Sequence, residues 1–265
     1  MSPRACIALV GLFFVCCPFE LNAQTTSERA RGELDLGVEA YEQAEYAKAA
    51  QHFQLALTAD PDLHTARLYL ATTLAQQCVP GVQTAGNDAY CNGAISQFHL
   101  MLEGDANDVA ALKGIAAVYF NMKRLDQVKE YQHKVMDADP HDPEAPYAIA
   151  TVDWTQSYKR RMDVKDKAGL KPEEPFISDF RCSQLRQENL PIVEDGMKML
   201  TTALTLKPDY DDAMAYMNLM YRERADTHCG DQAAFDADTK AADKWVYLTM
   251  EVKKQKASAH SQAAH

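Results

Sequence analysis

The sequence of 265 residues lacks the short motifs by which many enzymes are recognised. It contains no G-x-x-x-x-G-K-[ST] or G-x-G-x-x-G phosphate loop, no H-E-x-x-H zinc helix and no G-x-S-x-G nucleophile turn. We therefore predict no enzymatic activity, no cofactor and no metal site. Positive charge is also scarce, because 27 Lys and Arg stand against 38 Asp and Glu, giving a net charge of −11. This acidity argues against nucleic acid and anionic membrane surfaces as partners.

The sequence has no apolar run long enough to span a bilayer. A shorter apolar run, Cys6 to Val15, follows Arg4 and precedes a polar stretch that ends at Ala23. This order is typical of a secretory signal peptide. It predicts a signal peptide at residues 1–23, cleavage after Ala23, and a periplasmic or secreted location. A lipid-anchored form is disfavoured, because the residues before the candidate cysteines are bulky.

One segment, LGVEAYEQAEYAKAAQHFQLALTADP from Leu36 to Pro61, resembles the tetratricopeptide repeat, a 34-residue helix-turn-helix unit. Leu36 and Gly37 fill the central pair of the repeat pattern, although its first aromatic residue is missing. Gly37 and Ala49 would allow two helices to approach closely, and Phe53 would fill the space between one repeat and the next. Pro61 follows an Asp, and this pair ends one helix and caps the next.

The spacing of similar prolines predicts further repeats. Pro140 lies 79 residues after Pro61, which is 11 more than two periods of 34. We place this surplus in the loop CVPGVQTAGNDAYC, residues 78–91, between the two helices of the second repeat. Pro208 lies 68 residues after Pro140, yet the intervening sequence is better interpreted as one repeat with an insertion at residues 165–189. Two degenerate repeats are the alternative.

These observations predict an all-α fold. The resemblance implies a superhelical stack of about five helical hairpins, forming one domain over residues 24–253. The last residues, 254–265, are small and polar, and we expect a disordered tail there.

Four cysteines follow the signal peptide: Cys78, Cys91, Cys182 and Cys229. An even number in an exported chain predicts disulfides. The loops that join first to second helices share one edge of such a stack, but a disulfide cannot reach across two repeats. We therefore predict the pairs Cys78–Cys91 and Cys182–Cys229. A zinc site is disfavoured because no C-x2-C spacing occurs, and a reactive thiol is disfavoured because His228 is only a sequence neighbour of Cys229.

The resemblance implies that the first helices line a concave groove for an extended or helical peptide. The positions carried over to this groove are Tyr41, Tyr69, Thr72, Lys113, Phe120, Tyr147, Thr151, Trp154 and Arg222. Trp154 precedes a basic patch, Lys159, Arg160 and Arg161, which suits a peptide with an apolar side chain flanked by acids. A solvated helix end is the simpler interpretation of the patch, and packing of Trp154 under the insertion is the competing hypothesis.

We therefore expect a non-enzymatic scaffold or assembly adaptor in the cell envelope, with a protein or peptide as its partner. Two other hypotheses stay open. A small-ligand binder or enzyme would have a deep pocket under residues 165–189, with a carboxylate or histidine of shifted pKa. A structural spacer would have no exposed aromatic cluster in its groove.

Overall fold

The computed structural model describes the backbone of residues 18–263 and the side chains of residues 26–259 and 261. Within these ranges the regular secondary structure is helical, without strands. The helices are α1 (Pro18–Glu42), α2 (Tyr46–Ala59), α3 (His64–Gln77), α4 (Ala85–Gly104), α5 (Val109–Asn121), α6 (Leu125–Ala138), α7 (Glu144–Ala168), α8 (Phe180–Leu206), α9 (Asp211–Ala225) and α10 (Gln232–Ala263). The signal-peptide prediction concerns residues that lie largely outside the described ranges, and it stays a prediction.

The chain divides into two compact units, residues 1–73 and 74–265, which are described separately. In the first unit, α1 and α2 form a helical hairpin. A Cβ atom on Gly37 would lie 2.5 Å from Cε1 of Phe53, so this close approach requires glycine. The Phe53 ring also stacks on Tyr69 of α3, with centroids 5.3 Å apart. Both roles predicted for the repeat pattern are thus confirmed.

In the second unit, α5–α6, α7–α8 and α9–α10 form successive helical hairpins. An apolar cluster joins the last two hairpins and includes Ile149, Val193, Leu200 and Met220, all with no exposed surface. The predicted all-α fold of consecutive helical hairpins is confirmed.

The loop between α3 and α4 is shorter than predicted. It spans residues 78–84, because α4 begins at Ala85 and already contains Cys91. The Thr84 hydroxyl caps α4 by accepting a hydrogen bond from the Asn87 amide at 3.3 Å. The sequence suggested a longer loop because Gly and Asn favour turns. The Thr84 cap and the disulfide at Cys91 instead hold Gly86 and Asn87 in the helix.

The predicted insertion at residues 165–189 is mostly helical. It lengthens both helices of one hairpin and leaves only residues 169–179, here named the roof segment, as a connection. Gly169 ends α7 in the left-handed conformation, with φ of 68°. The Asp179 carboxylate caps α8 by accepting a hydrogen bond from the Cys182 amide at 2.9 Å. The region is therefore one long hairpin and not two degenerate repeats.

Two further segments differ from the sequence predictions. Pro191 lies inside α8, although proline normally interrupts helices. The disordered tail predicted at residues 254–265 does not hold for residues 254–263, which continue α10. Ala, Lys and Gln are good helix formers, and Lys256 pairs with Asp211 at 2.7 Å, which fastens this end of the helix.

Candidate functional site

A row of aromatic side chains follows the junction of α7 and α9. On α7, the positions spaced by three or four residues are Tyr147, Thr151, Trp154 and Tyr158. They share one helical face because that spacing matches the helical repeat. Three of these four positions belong to the predicted groove, and Tyr210 and Tyr216 from α9 and its cap complete the row.

The rings of the aromatic row contact one another in sequence. Tyr147 lies 4.9 Å from Tyr210 and 5.5 Å from Tyr216, measured between centroids. Trp154 meets Tyr216 edge-on at 5.5 Å and stacks on Tyr158 at 5.0 Å. Such ring pairs stabilise beyond the area they bury. Burial raises the pKa of Tyr210 to about 12 and also raises those of Tyr147 and Tyr216, so these hydroxyls stay protonated.

Trp154 is partly buried, but the core residues that it packs against lie outside the insertion at residues 165–189. Its ring packs partly against the apolar cluster of the last two hairpins. It remains partly exposed, and Tyr158, which stacks on it, is 39% exposed. The row therefore has a buried side that stabilises the fold and an open side that a partner can reach.

A cavity of about 250 Å³ lies among α5, α6 and α7. Three predicted groove residues, Lys113, Phe120 and Thr151, line this cavity together with small alanines. Phe120 is 46% exposed. Oε1 of Gln132 is buried in the wall without a hydrogen-bond partner among the described residues. The cavity thus offers apolar space and one hydrogen-bond acceptor.

The two predicted groove cations are engaged within the chain. Lys113 Nζ lies 2.8 Å from Asp142 and 3.0 Å from Glu144. Arg222 is exposed and lies 2.8 Å from Asp243. The pair of Arg222 with Asp243 is exposed, and such pairs are weak, so a ligand carboxylate could compete for Arg222; the Asp142 carboxylate that pairs with Lys113 is buried.

The predicted groove residues of the first unit form a separate cluster. Tyr41 contacts Tyr46 at 5.6 Å and Tyr69 at 6.1 Å. Tyr69 also stacks on Phe53, so much of its ring serves the fold. The Thr72 hydroxyl donates to the Leu68 carbonyl of its own helix at 2.8 Å. These contacts leave Tyr41 and Tyr69 half-buried.

The predicted basic patch is not one exposed surface. Arg161 is buried and pairs with Glu223 at 3.0 Å and Asp226 at 2.8 Å. Arg160 is half-buried and pairs with Glu188 at 3.1 Å. Lys159 alone of the three is exposed. The prediction of an exposed basic patch was wrong, because carboxylates that are distant in sequence pair with Arg160 and Arg161 on α7.

A buried ionic cluster, which we did not predict, joins α7 to the end of α9. It consists of Arg161, Lys165, Glu223 and Asp226. Burial raises the pKa of Glu223 to about 7 and lowers that of Lys165. The helical spacing of Arg161 and Lys165, and of Glu223 and Asp226, is visible in the sequence, but their mutual contact depends on helix packing.

Two cavities lie beside this cluster under the roof segment. The larger, of about 410 Å³, is lined by Arg161, Arg222, Asp226 and Phe235 among others. The smaller, of about 230 Å³, adjoins Cys229 and shares Asp226 and Phe235 with the first. The small-ligand hypothesis requires a pocket that contains a carboxylate or histidine of shifted pKa, and Glu223 lies in the neighbouring ionic cluster without being among the residues that line these two cavities.

Both predicted disulfides are present. Cys78 pairs with Cys91, and Cys182 with Cys229, with Cα separations of 4.9 and 5.5 Å. Three of these cysteines are buried, and Cys229 is partly exposed. Two disulfides fit a chain that folds in an oxidising compartment. None of the described helices combines the length and hydropathy needed to cross a membrane.

Comparison with known proteins identifies the fold. No protein-family model and no curated protein matches the sequence. Among solved structures, the chain is similar to MamA, with 14% identity and a TM-score of 0.56 over 87% of this chain and 95% of that chain. MamA from Desulfovibrio magneticus RS-1 gives 14% identity and a TM-score of 0.56 over 87% and 98%. YrrB, described as a TPR protein with an unusual peptide-binding site, gives 12% identity and a TM-score of 0.50 over 89% of this chain and 98% of that chain.

These identities are low, so the likeness shows the fold alone. The chain has the fold of tetratricopeptide-repeat proteins, as the segment at Leu36–Pro61 predicts.

Proposed function

We propose that this protein is a non-enzymatic interaction scaffold that binds a segment of a partner protein along α5, α7 and α9. The observation that carries the proposal is the aromatic row of Tyr147, Trp154, Tyr158, Tyr210 and Tyr216, which stays partly open to solvent. A purely structural spacer has no need of an open aromatic row. Aromatic side chains are enriched among the residues that dominate binding energy at interfaces.

The neighbouring cavity supports a segment with one apolar side chain. Its alanines leave space next to the exposed Phe120 ring, and Gln132 Oε1 is available to a donor of the bound segment. Because Arg160 and Arg161 are engaged with carboxylates, flanking acids in the partner have little to contact there. The partner segment is therefore expected to bind mainly through apolar side chains. Acidic residues beside them, which the sequence analysis predicted, are no longer favoured.

The place of action is the cell envelope, after export. The predicted signal peptide at residues 1–23 and the two disulfides support it.

Photo-cross-linking tests this function. A benzoylphenylalanine at Thr151 should capture a discrete partner in the exported fraction, whereas the same residue at Tyr247, 63% exposed on α10, should not. Tyr158→Ala should weaken binding of the captured partner by about tenfold or more with little change in melting temperature, because its ring is an exposed part of the row. Equal cross-linking at both positions, or unchanged affinity of the Tyr158→Ala variant, contradicts the proposal.

Binding of a small ligand under the roof segment is the second candidate. The larger cavity, with Arg161 and Asp226 in its wall and Glu223 close by, favours it. A compound that raises the melting temperature of the wild type but not of Glu223→Gln would move this candidate to first place.

A further inference from the structure

The smaller cavity under the roof segment has a composition of its own. It lies between Pro175, Phe176 and Ile177 of the roof segment and the turn from α9 to α10. The turn approaches the roof closely: a Cβ atom on Gly230 would lie 3.1 Å from the Ser178 amide nitrogen, and Gly230 has φ of 87°. The disulfide at Cys229 fastens the same turn to α8. The walls are therefore held in place, and the cavity is a built feature of the fold.

The titratable side chains that line this cavity are two carboxylates and one histidine, and His228 Nε2 lies 2.7 Å from Asp238 Oδ2. Asp226 and Asp231 contribute to its wall, and no lysine or arginine is among the described residues that line it. Asp226 is 4% exposed. Its Oδ2 accepts hydrogen bonds from Arg161 and Lys165, whereas its Oδ1 is buried without a hydrogen-bond partner among the described residues. A buried acceptor without a donor is costly, so a donor that reached Oδ1 would be stabilised.

The surrounding charges leave room for a cation. Arg161 and Lys165 lie against Glu223 and Asp226 within the ionic cluster, whereas the Asp231 carboxylate lies outside that cluster. Helix α9 ends at this cavity, and the C-terminal end of a helix favours positive charge. Helix α10 begins there, but Asp231 compensates its positive end by accepting a hydrogen bond from the Ala234 amide at 3.0 Å.

The remaining walls are apolar and reach the surface. Phe176 and Phe235 line the interior, and Ile177 lies at the opening with 69% of its surface exposed. Phe180, the first residue of α8, is 78% exposed. Lysine and arginine combine an apolar stem with a cationic end, and a cation gains further from aromatic faces. Exposed apolar residues around the opening would contact a protein surface but would gain little from a small amine.

We propose that the smaller cavity receives a lysine or arginine side chain of a partner protein. The stem packs against Phe235, the charged end lies between Asp226 and Asp231, and Ile177 contacts the partner at the opening. The net charge of −11 adds a long-range preference for a basic partner. This site lies outside the aromatic row, so it stands or fails independently of the groove function.

Peptide titration of the oxidised mature chain, followed by amide NMR, tests the proposal. The probes are acetylated tripeptide amides, Leu-Lys-Leu and Leu-Arg-Leu, with Leu-Gln-Leu as the neutral control. A single inserted side chain should bind with a dissociation constant on the order of 1 mM. The lysine and arginine probes should shift the amides of Gly230, Asp231 and Gln232, and the glutamine probe should not.

Asp231→Asn supplies the matched variant, because asparagine also caps helices and only the charge is lost. It should weaken the lysine probe about tenfold. The control Asp108→Asn makes the same change at the cap of α5, where Asp108 accepts from the Ala111 amide, and should bind as the wild type does. Trp154→Ala, which alters the groove, should also leave this binding unchanged. Ile177→Ser keeps both carboxylates and should weaken the peptide probe severalfold.

Three results would overturn the proposal. The first is a glutamine probe that shifts the same amides as the lysine probe. The second is unchanged binding by both Asp231→Asn and Ile177→Ser. The third is butylamine binding as tightly as the lysine peptide, which would make the cavity a site for free amines.

Discussion

Two connections in the second unit each join consecutive helices, but different chemical groups hold them in place. Residues 78–84 connect α3 to α4, and the roof segment, residues 169–179, connects α7 to α8. Each is fastened by one disulfide. Around the first, the other contacts are made by neutral amides, whereas around the second they are made by buried charges.

The first connection is organised by two asparagines. Asn87 accepts a hydrogen bond from the Val79 amide at 2.7 Å and donates to the carbonyls of Val79 at 3.1 Å and Val82 at 2.9 Å. Asn121 donates to the Cys78 carbonyl at 3.2 Å. None of these groups titrates near neutral pH, so we expect this connection to be insensitive to pH.

The roof segment is held by Lys165. Its Nζ donates to the carbonyls of Pro172 at 2.7 Å and Glu174 at 2.8 Å and lies 2.7 Å from Asp226 Oδ2. Only 1% of the Lys165 side chain is exposed. Buried ion pairs carry a large desolvation cost, so they are worth little net stability but are damaging to break. The comparison therefore predicts that the roof segment is the more fragile of the two connections.

The largest expected effect follows from Lys165→Met. It removes the donor to two roof carbonyls and leaves Asp226 with one cation, so we expect a loss of about 3 to 5 kcal/mol in the free energy of unfolding. Urea denaturation measures it. Lys167→Met, on the exposed side of the same turn, is the control and should stay within about 0.5 kcal/mol of the wild type. Equal losses in the two variants would show that Lys165 does not hold the roof.

Removal of the disulfide at the roof segment should lower the free energy of unfolding more than removal of the disulfide at residues 78–84. Cys182 and Cys229 are 47 residues apart and Cys78 and Cys91 only 13. By the chain-entropy relation, the double Cys→Ala variant of the longer loop should lose about 4 kcal/mol and that of the shorter about 3 kcal/mol. Urea denaturation of both double variants under one buffer checks this. A larger loss for Cys78–Cys91 would contradict the entropic ranking.

The sequence predicts local features of these regions well. The repeat pattern at Leu36–Pro61 fixes the fold class, and the edge argument yields both cysteine pairs, because each depends on spacing along the chain. Helix ends are predicted less well. The polar residues before Pro191 suggested a loop, but their exposed face belongs to a helix that Asp179 caps.

Contacts between segments that are far apart along the chain could not be predicted from the sequence. Arg161 and Lys165 were interpreted as surface cations because their partners, Glu223 and Asp226, lie more than 50 residues away in sequence, at the end of α9. The aromatic row was found in part, since Tyr147, Thr151 and Trp154 share one helix, whereas Tyr210 and Tyr216 join it only through the packing of α7 against α9.

The smallest expected effect is the pH dependence that separates the two connections. An unfolded glutamate has a pKa near 4.3, and burial raises the pKa of Glu223 to about 7. Between these values the folded protein retains a proton that the unfolded chain has released, so the contribution of Glu223 to stability falls as the pH rises from about 4 to 7. Glu223→Gln has no such proton. Its stability relative to the wild type should therefore rise by about 1 to 3 kcal/mol between pH 5 and pH 8.

Asn87→Ala is the matched variant at the neutral connection. It should lose about 1 to 2 kcal/mol, because water replaces part of the lost hydrogen bonding at the exposed Val79 and Val82. That loss should be the same at pH 5 and pH 8, since only neutral groups are involved. Denaturant titrations of the wild type and both variants at the two pH values measure the difference. If the Glu223→Gln difference is flat while that of Asn87→Ala varies with pH, then charge is not what distinguishes the roof segment from residues 78–84.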